Sequence, residues 1–506
     1  MSLDDHSMPD PMARAATGPQ RGTVAVLLVA IVVAFAFQGS RSLWDPDEGR
    51  YTDVAHNMEE SGDWLVPRLD PERPHFTKPP LTYWAVATSL AVLGDSTWAA
   101  RLPSALAFVA TGLLVLGLAR KLGLPEPELA AVAWTTTLGP VIAANVVTTD
   151  TLLALFETLA VYGFVASGML RGAHRPNVTG LRLMWLGFGL AFLTKGPPGL
   201  IPLLAILLFL VRDRRQQVPR LFEPVGMLIF AAIGLGWYVM LVWRSPDLLH
   251  YFLVDETLNR VATPVHRRNA GWSGWLAVYG PTLLLGSLPW LAIALAAAWQ
   301  RRRNGVDAAS LDRDTRRFLV HWFGVPLAIF ILAQSRLPLY VLPLFVPLVL
   351  WMSPQWAGWG SPGRRWVLVA FAGAFAIAFK LAGACVHPDE DARHLAAELS
   401  QMVPMADIDE VVFIDVPARY GLKHYLGKEV EQVESYPGAI GPTGYAPPDL
   451  VCDELDTPER LLLIAPARRL EGLEKQVAQC QHLIEKIGTL RKWVLFRSLP
   501  GAATRG

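Results

Sequence analysis

Residues 44–84 crowd acidic, basic and aromatic side chains into a chain that is otherwise strongly apolar. The stretch opens Trp44-Asp45-Pro46-Asp47-Glu48-Gly49-Arg50-Tyr51 and closes Phe76-Thr77-Lys78-Pro79-Pro80-Leu81-Thr82-Tyr83-Trp84. Asp47 and Arg50 stand three apart just after a proline. A helix starting at Pro46 therefore puts them on one face near its N-terminus, where the helix dipole favours the carboxylate. Such a pair could orient or deprotonate a polar substrate, and it reads equally as a capped interfacial helix with an internal ion pair. Lys78 precedes two prolines, which hold the backbone extended and carry its ammonium to a defined place. There it could clamp a phosphate, or only snorkel toward lipid phosphates.

Further ions stand alone at the mouths of apolar segments. Asp150 follows Asn145-Val146-Val147-Thr148-Thr149, Lys195 opens Lys195-Gly196-Pro197-Pro198, and Arg336 lies in Ser335-Arg336-Leu337-Pro338-Leu339-Tyr340. A charge at membrane depth costs about 2.5–3.5 kcal/mol on insertion scales, so such residues tend to be paired or functional. Asp150 also reads as a plain N-cap for the helix that follows. The connection from Asp255 through Arg260 to His266, Arg267 and Arg268 is basic. A basic patch at a membrane surface suits an anionic lipid head or a pyrophosphate, and a solvated positive loop is the alternative.

The elements that must position these residues are mostly membrane spans. The 506-residue chain has a mean hydropathy of +0.32, 52% apolar and 18% charged residues, and 18 tryptophans suited to interfacial anchoring. Apolar stretches such as 23–37, 104–119, 202–211, 227–242, 283–299 and 366–384 approach the roughly 20 residues that cross a bilayer as helix. The net charge of +1 says nothing about partners, and a nucleic-acid role would need a basic face that the sequence does not offer, so no nucleic-acid partner is expected. Arg- and Lys-bearing short loops alternate along the chain with the loops holding Asp47, Lys78, Asp150, Lys195 and Arg336. By the positive-inside rule, residues 1–22 form a cytoplasmic tail, residues 23–385 a membrane domain of eleven firm spans, and loop 39–79 lies outside. The alternation holds only if residues 81–93 form a juxtamembrane or partly inserted helix. Residues 386–506 then make an extracytoplasmic α/β domain, with β-type runs at 410–415, 461–464 and 492–496 and an amphipathic helix over 468–486. Cys452 and Cys480 lie in it; their spacing alone favours free thiols, although a disulfide could persist outside the cytoplasm.

In order along residues 40–350, these motifs resemble the lipid-carrier-dependent glycosyltransferases of the GT-C type, in particular the aminoarabinose-transferase-like group related to the protein O-mannosyltransferases. The resemblance rests on Pro46-Asp47-Glu48-x-Arg50-Tyr51, Ser61-Gly62-Asp63-Trp64, Lys78-Pro79-Pro80-Leu81 with Tyr83-Trp84, and Arg101-Leu102-Pro103-Ser104. Thr149-Asp150, Thr194-Lys195-Gly196-Pro197 and Ser335-Arg336-Leu337-Pro338-x-Tyr340 complete the set. It implies an all-α polytopic membrane domain of about 11–13 helices with a small extracytoplasmic α/β domain. It also implies transfer of a monosaccharide from a polyprenyl-phosphate carrier to a glycolipid such as lipid A, a protein or a polysaccharide, in a bacterial-type inner membrane among its lipids. Asp47 and Asp150 become the expected catalytic carboxylates. Arg50, Lys78, Lys195, Arg260, His266 and Arg336 are expected at the carrier phosphate, and Glu48, Tyr51, Tyr83 and Tyr340 around the substrate. The family commonly has a carboxylate directly before the lysine, where this chain has Thr77, so neither a metal nor another cofactor is expected. The competing classes are a flippase for a lipid-linked sugar and a scaffold that works through its C-terminal domain. A flippase would place charges at the bilayer midplane on broken helices related by an inverted repeat, and the sequence carries no such repeat.

Overall fold

A computed structural model describes residues 11–499 except 71, 260–268, 270, 306, 308–309, 357–361, 441–444 and 481. The first helix, α1 (Pro11–Phe35), takes in residues 11–22 of the expected cytoplasmic tail; Met12, Ala13, Arg14, Ala15 and Ala16 are all tolerant of helix. After a turn comes α2 (Asp47–Ser61), ended by Gly62 in the left-handed conformation, then α3 (Leu81–Leu93). Ser96 starts α4 (Thr97–Leu122) by accepting a hydrogen bond from the Ala99 amide.

Among the described residues six helices are long and apolar enough to cross a membrane, or seven when the bent pair Gly274–Gly286 and Trp290–Asn304 counts as one. The sequence suggested eleven spans. The difference arises where proline and glycine break apolar runs into short pieces: Pro127–Thr135 with Leu138–Ala143, and the 3-10 turn Pro197–Leu200 before Ile201–Arg214. Helix α3 has 13 residues, too short to span alone.

The centre of the helical part is a hairpin of Thr149–Ala166 and Val178–Lys195. A Cβ on Gly163 would come within 2.4 Å of the Met184 amide nitrogen, and one on Gly187 within 2.5 Å of the Ala160 nitrogen. Small residues thus let the two backbones touch, the usual way helices associate in lipid. Because the helices run antiparallel, the first turn of one lies beside the last turn of the other.

Beyond Ala384 the chain forms a five-stranded sheet: β1 (Glu410–Ile414), β2 (Glu429–Val433), β3 (Leu461–Pro466), β4 (Ile484–Leu490) and β5 (Trp493–Ser498), in the order β2-β1-β3-β5-β4. The pairings β1–β2 and β1–β3 are parallel, and β3–β5 and β4–β5 antiparallel. Alternation in β1 sends Val411 and Phe413 into the core on one face, and Val412 and Ile414 into the core on the other. The helix expected over 468–486 covers only Leu470–Gln479, because residues 484–490 pair with β5 instead. Cys452 and Cys480 are disulfide-bonded with Cα atoms 5.8 Å apart, a correction to the expectation of free thiols.

This domain sits on the loop before and within α2. The Asp45 amide donates to the Glu390 carbonyl, Leu43 to the Tyr425 hydroxyl, and Gly421 to Asp45 Oδ1. Lys423 reaches Asn57 Oδ1 at 2.7 Å and Glu60 at 3.1 Å.

Candidate active site

Asp47 begins α2, and its Oδ1 accepts from Arg50 Nη2 at 2.7 Å, so the i,i+3 pair read from the sequence forms. The Arg50 guanidinium also stands 5.8 Å from the Tyr51 ring. Thr148 is the cap of the helix Thr149–Ala166, its hydroxyl accepting from the Asp150 amide, which leaves the Asp150 carboxylate for another partner. That partner is Lys195, at the far end of the helical hairpin, and both side chains are buried. Each charge also suits its helix end, acid in a first turn and base in a last turn. Lys195 further lies 4.3 Å from the Tyr340 ring centroid. Lys78 donates to the Thr77 carbonyl at 2.9 Å, and Thr77 Oγ1 lies 2.7 Å from His75 Nε2.

These residues line one cavity of about 850 Å³. Asp47, Arg50, Tyr51, Lys78, Asp150, Lys195 and Tyr340 all face it. A second, mostly apolar cavity of about 780 Å³ adjoins it, lined by Pro79, Phe192, Leu235, Val239, Val242, Trp243, Leu253 and Phe330 among others. Thr77, Lys78, Lys195, Glu256, Ser335 and Tyr340 line both. Val239, Trp243 and Leu253 are largely exposed, so the apolar groove opens on the lipid-facing side of the helices. A cationic, hydrogen-bonding chamber thus runs into an apolar trough, a shape suited to a ligand with a phosphate head and a hydrocarbon tail.

Three expected site residues lie elsewhere. Glu48 does not face the cavity: it is 2% exposed and is held by Arg101 at 2.8 Å and Arg41 at 2.6 Å. Its oxygens also accept from the Trp44 and Val147 amides. Burial pushes this carboxyl up, but the charges of Arg101 and Arg41 outweigh it and bring it to about 2. Glu48 is therefore the structural hub that ties the 41–48 loop to the turn before Asp150. Tyr83 is fully buried behind the site, its ring 5.5 Å from that of Tyr51. Arg336 is 3% exposed and donates to the carbonyls of Asn269, Gly271 and Ile331 at 2.8–2.9 Å, so it shapes the turn that presents Tyr340 rather than facing a ligand. Arg260 and His266 lie outside the described residues.

Sequence motifs missed two contributors. The segment after residue 246 supplies Asp247, His250 and Tyr251 to the chamber, beside Asp255 and Glu256 of the connection that the sequence had singled out as basic, and the C-terminal domain supplies Tyr420, Gln432 and Tyr445. Arg73 from loop 39–79 links the parts: it pairs with Asp70 and donates to the Gln432 carbonyl at 2.8 Å. The polar alternation of Glu429-Val430-Glu431-Gln432-Val433 was the available signal for the edge strand that carries Gln432. Among the described residues two clusters have metal-ligand spacing, His56–Asp95–His424 and Glu410–Glu431–Glu454, and none of these six residues lines the chamber.

Residues 77–243 match the family described as dolichyl-phosphate-mannose-protein mannosyltransferase. The chain is 33% identical over 337 residues to the undecaprenyl phosphate-alpha-4-amino-4-deoxy-L-arabinose arabinosyl transferase of Edwardsiella ictaluri, covering 65% of this chain and 58% of that protein. It is 30% identical over 379 residues to the protein of the same name from Pectobacterium carotovorum, covering 72% and 65%. The chain thus spans less than two thirds of the length of these relatives. The crystal structure of ArnT from Cupriavidus metallidurans bound to undecaprenyl phosphate superimposes with a TM-score of 0.70 at 18% identity, over 96% of this chain and 99% of that one. Its apo state gives 0.73, over 97% and 100%. In sequence the chain is similar to the aminoarabinose transferases, and in architecture it shares the fold of ArnT.

Proposed function

We propose that this protein is a membrane glycosyltransferase that moves a monosaccharide from a polyprenyl-phosphate carrier to an envelope acceptor such as lipid A, with inversion at the anomeric carbon. The observation that carries this reading is the junction of the cationic chamber with the apolar groove at Lys78, Lys195 and Tyr340. The carrier phosphate would rest at that junction with its isoprenoid tail in the groove. The names of the relatives, which specify undecaprenyl phosphate and an arabinosyl transfer, support the same donor class.

In the reaction the bond between the anomeric carbon and the phosphate oxygen breaks, and its electron pair leaves with the phosphate. The transition state is oxocarbenium-like, and a phosphate leaving group needs no general acid. It needs cations, and Arg50, Lys78 and Lys195 are the candidates to stabilise the developing charge. The acceptor oxygen attacks from the opposite face. Asp47 would accept the proton of a hydroxyl acceptor; an acceptor phosphate is already ionised, and Asp47 with Arg50 would then only position it. Asp150 acts through Lys195, holding its ammonium at the junction. We place the N-terminus in the cytoplasm, and the chamber and C-terminal domain on the periplasmic side of a bacterial-type inner membrane, because the short Arg-rich loops lie opposite the chamber in the chain's alternation.

The test is donor turnover by purified protein, followed by mass spectrometry of the acceptor. Lys78→Ala and Asp47→Asn are expected to fold and to lower transfer by about 10²-fold or more, in the range of removing one electrostatic stabiliser. Full transfer by folded Asp47→Asn would refute its assigned role. Movement of lipid-linked sugar across liposomes without any transfer product would favour the flippase instead.

A further inference from the structure

Outside the chamber, three side chains from distant parts of the chain converge where the C-terminal domain meets the membrane domain. His56 lies on α2, Asp95 in the turn before α4, and His424 on the helix Gly421–Leu426. His56 Nε2 stands 3.2 Å and His424 Nδ1 2.6 Å from the same oxygen, Asp95 Oδ1. The two imidazole rings have centroids 6.3 Å apart. Both facing nitrogens are buried, and neither completes a hydrogen bond of acceptable geometry, although His56 is only 8% exposed. Asp95 keeps 45% of its side chain in solvent, so the cluster is closed by protein on the histidine side and open on the carboxylate side.

We propose that His56, Asp95 and His424 bind a divalent transition-metal ion of the zinc class, which clasps the C-terminal domain onto α2. Two imidazoles and one carboxylate are an N,N,O donor set that favours zinc and its neighbours over magnesium or calcium, which take oxygen ligands. Tetrahedral ligands with bonds of about 2.0–2.1 Å stand about 3.3 Å apart, close to the 3.2 Å separation of His56 and Asp95. A rotation of the half-exposed Asp95 would open the shorter His424 contact. Solvent would supply the fourth ligand from the open side. Histidine nitrogens that find no well-directed donor or acceptor in a buried setting are costly unless something else satisfies them, and a metal ion would do so for both at once. The neighbouring cation, Lys423, is engaged by Asn57, Glu60 and Glu429, which leaves the carboxylate of Asp95 to the histidines. Occupancy would also reach the chamber, because Tyr420, immediately before the His424 helix, lines it.

The experiment uses the full chain in detergent, stripped with a chelator, reloaded with zinc sulfate, desalted and analysed for metal content. The expected result is one firmly held zinc per chain, and one zinc fewer in each of His56→Gln and His424→Gln. Zinc should raise the melting temperature of the unaltered protein and leave that of the variants unmoved. Equal zinc content in the unaltered protein and the variants, or no retained zinc in either, overturns the proposal. Should a variant fail to fold, X-ray absorption at the zinc edge of the loaded unaltered protein decides. Two imidazole ligands support the clasp, and a shell without them refutes it.

Discussion

Asp47 and Arg50 stand out by their spacing on one helix face, and Asp150 and Lys195 by their setting, because isolated ions among apolar segments need a partner or a task. The structure gives Asp150 a partner as well as a place, since it holds Lys195 at the chamber wall. Asp150→Asn is expected to lower transfer by about 10-fold or more through misplacement of Lys195, with donor turnover as the measurement; Asp150→Glu should recover part of the loss. Glu48 stood in the same motif and does different work. Arg101 is fully buried, and Glu48 is its only carboxylate partner among the described residues. Glu48→Gln should therefore cost about 3–5 kcal/mol, the range for stranding a buried charge, reduced to the extent that the backbone carbonyls around Arg101 keep it satisfied. Thermal unfolding in detergent would detect it, and an unchanged melting temperature would contradict the structural assignment.

At the scale of elements, the hairpin of Thr149–Ala166 and Val178–Lys195 decides whether residues 150 and 195 meet. Gly163→Val would drive a side chain into the Met184 backbone, with an expected cost of about 1–3 kcal/mol and a loss of transfer activity larger than the loss of folded protein. Chromatographic yield and turnover measured together separate the two effects. The seat of the C-terminal domain should respond to pH through Asp45. Burial pushes this carboxyl up to about 7, although it accepts the Gly421 amide. An unfolded aspartate titrates near 3.9, so the stability this neutral group supports is complete below about pH 4 and is lost as the pH rises toward 7. Asp45→Asn keeps an acceptor for Gly421 without the charge. It should raise the melting temperature at pH 8 and change it little at pH 4; an equal effect at both values would show that ionisation is irrelevant there.

For the whole molecule, the informative feature is the continuity between chamber and groove. Val239 lines the groove but not the chamber, and is 65% exposed. Val239→Arg should raise the apparent KM for a long-chain carrier donor by about 10-fold, corresponding to about 1.4 kcal/mol of lost tail contact, and leave a short-chain soluble donor unaffected. Equal effects on the two donors would mean that the tail lies elsewhere. The C-terminal domain takes part in the same assembly, since Tyr420, Gln432 and Tyr445 complete the chamber wall that the helices leave open.

The amino-acid sequence alone determined the membrane class, the alternation of charged loops, the helix that joins Asp47 to Arg50 and the strands β1, β3 and β5. Those properties follow from hydropathy and local periodicity, which neighbouring residues carry by themselves. Only the tertiary structure decided that Glu48, Tyr83 and Arg336 stay out of the chamber, that Asp150 meets Lys195, that Cys452 meets Cys480, and that the C-terminal domain closes the site. Each of these depends on which buried group lies nearest across tens or hundreds of residues. Spacing along the chain does not encode that choice, because helix packing and the satisfaction of buried charges settle it in three dimensions.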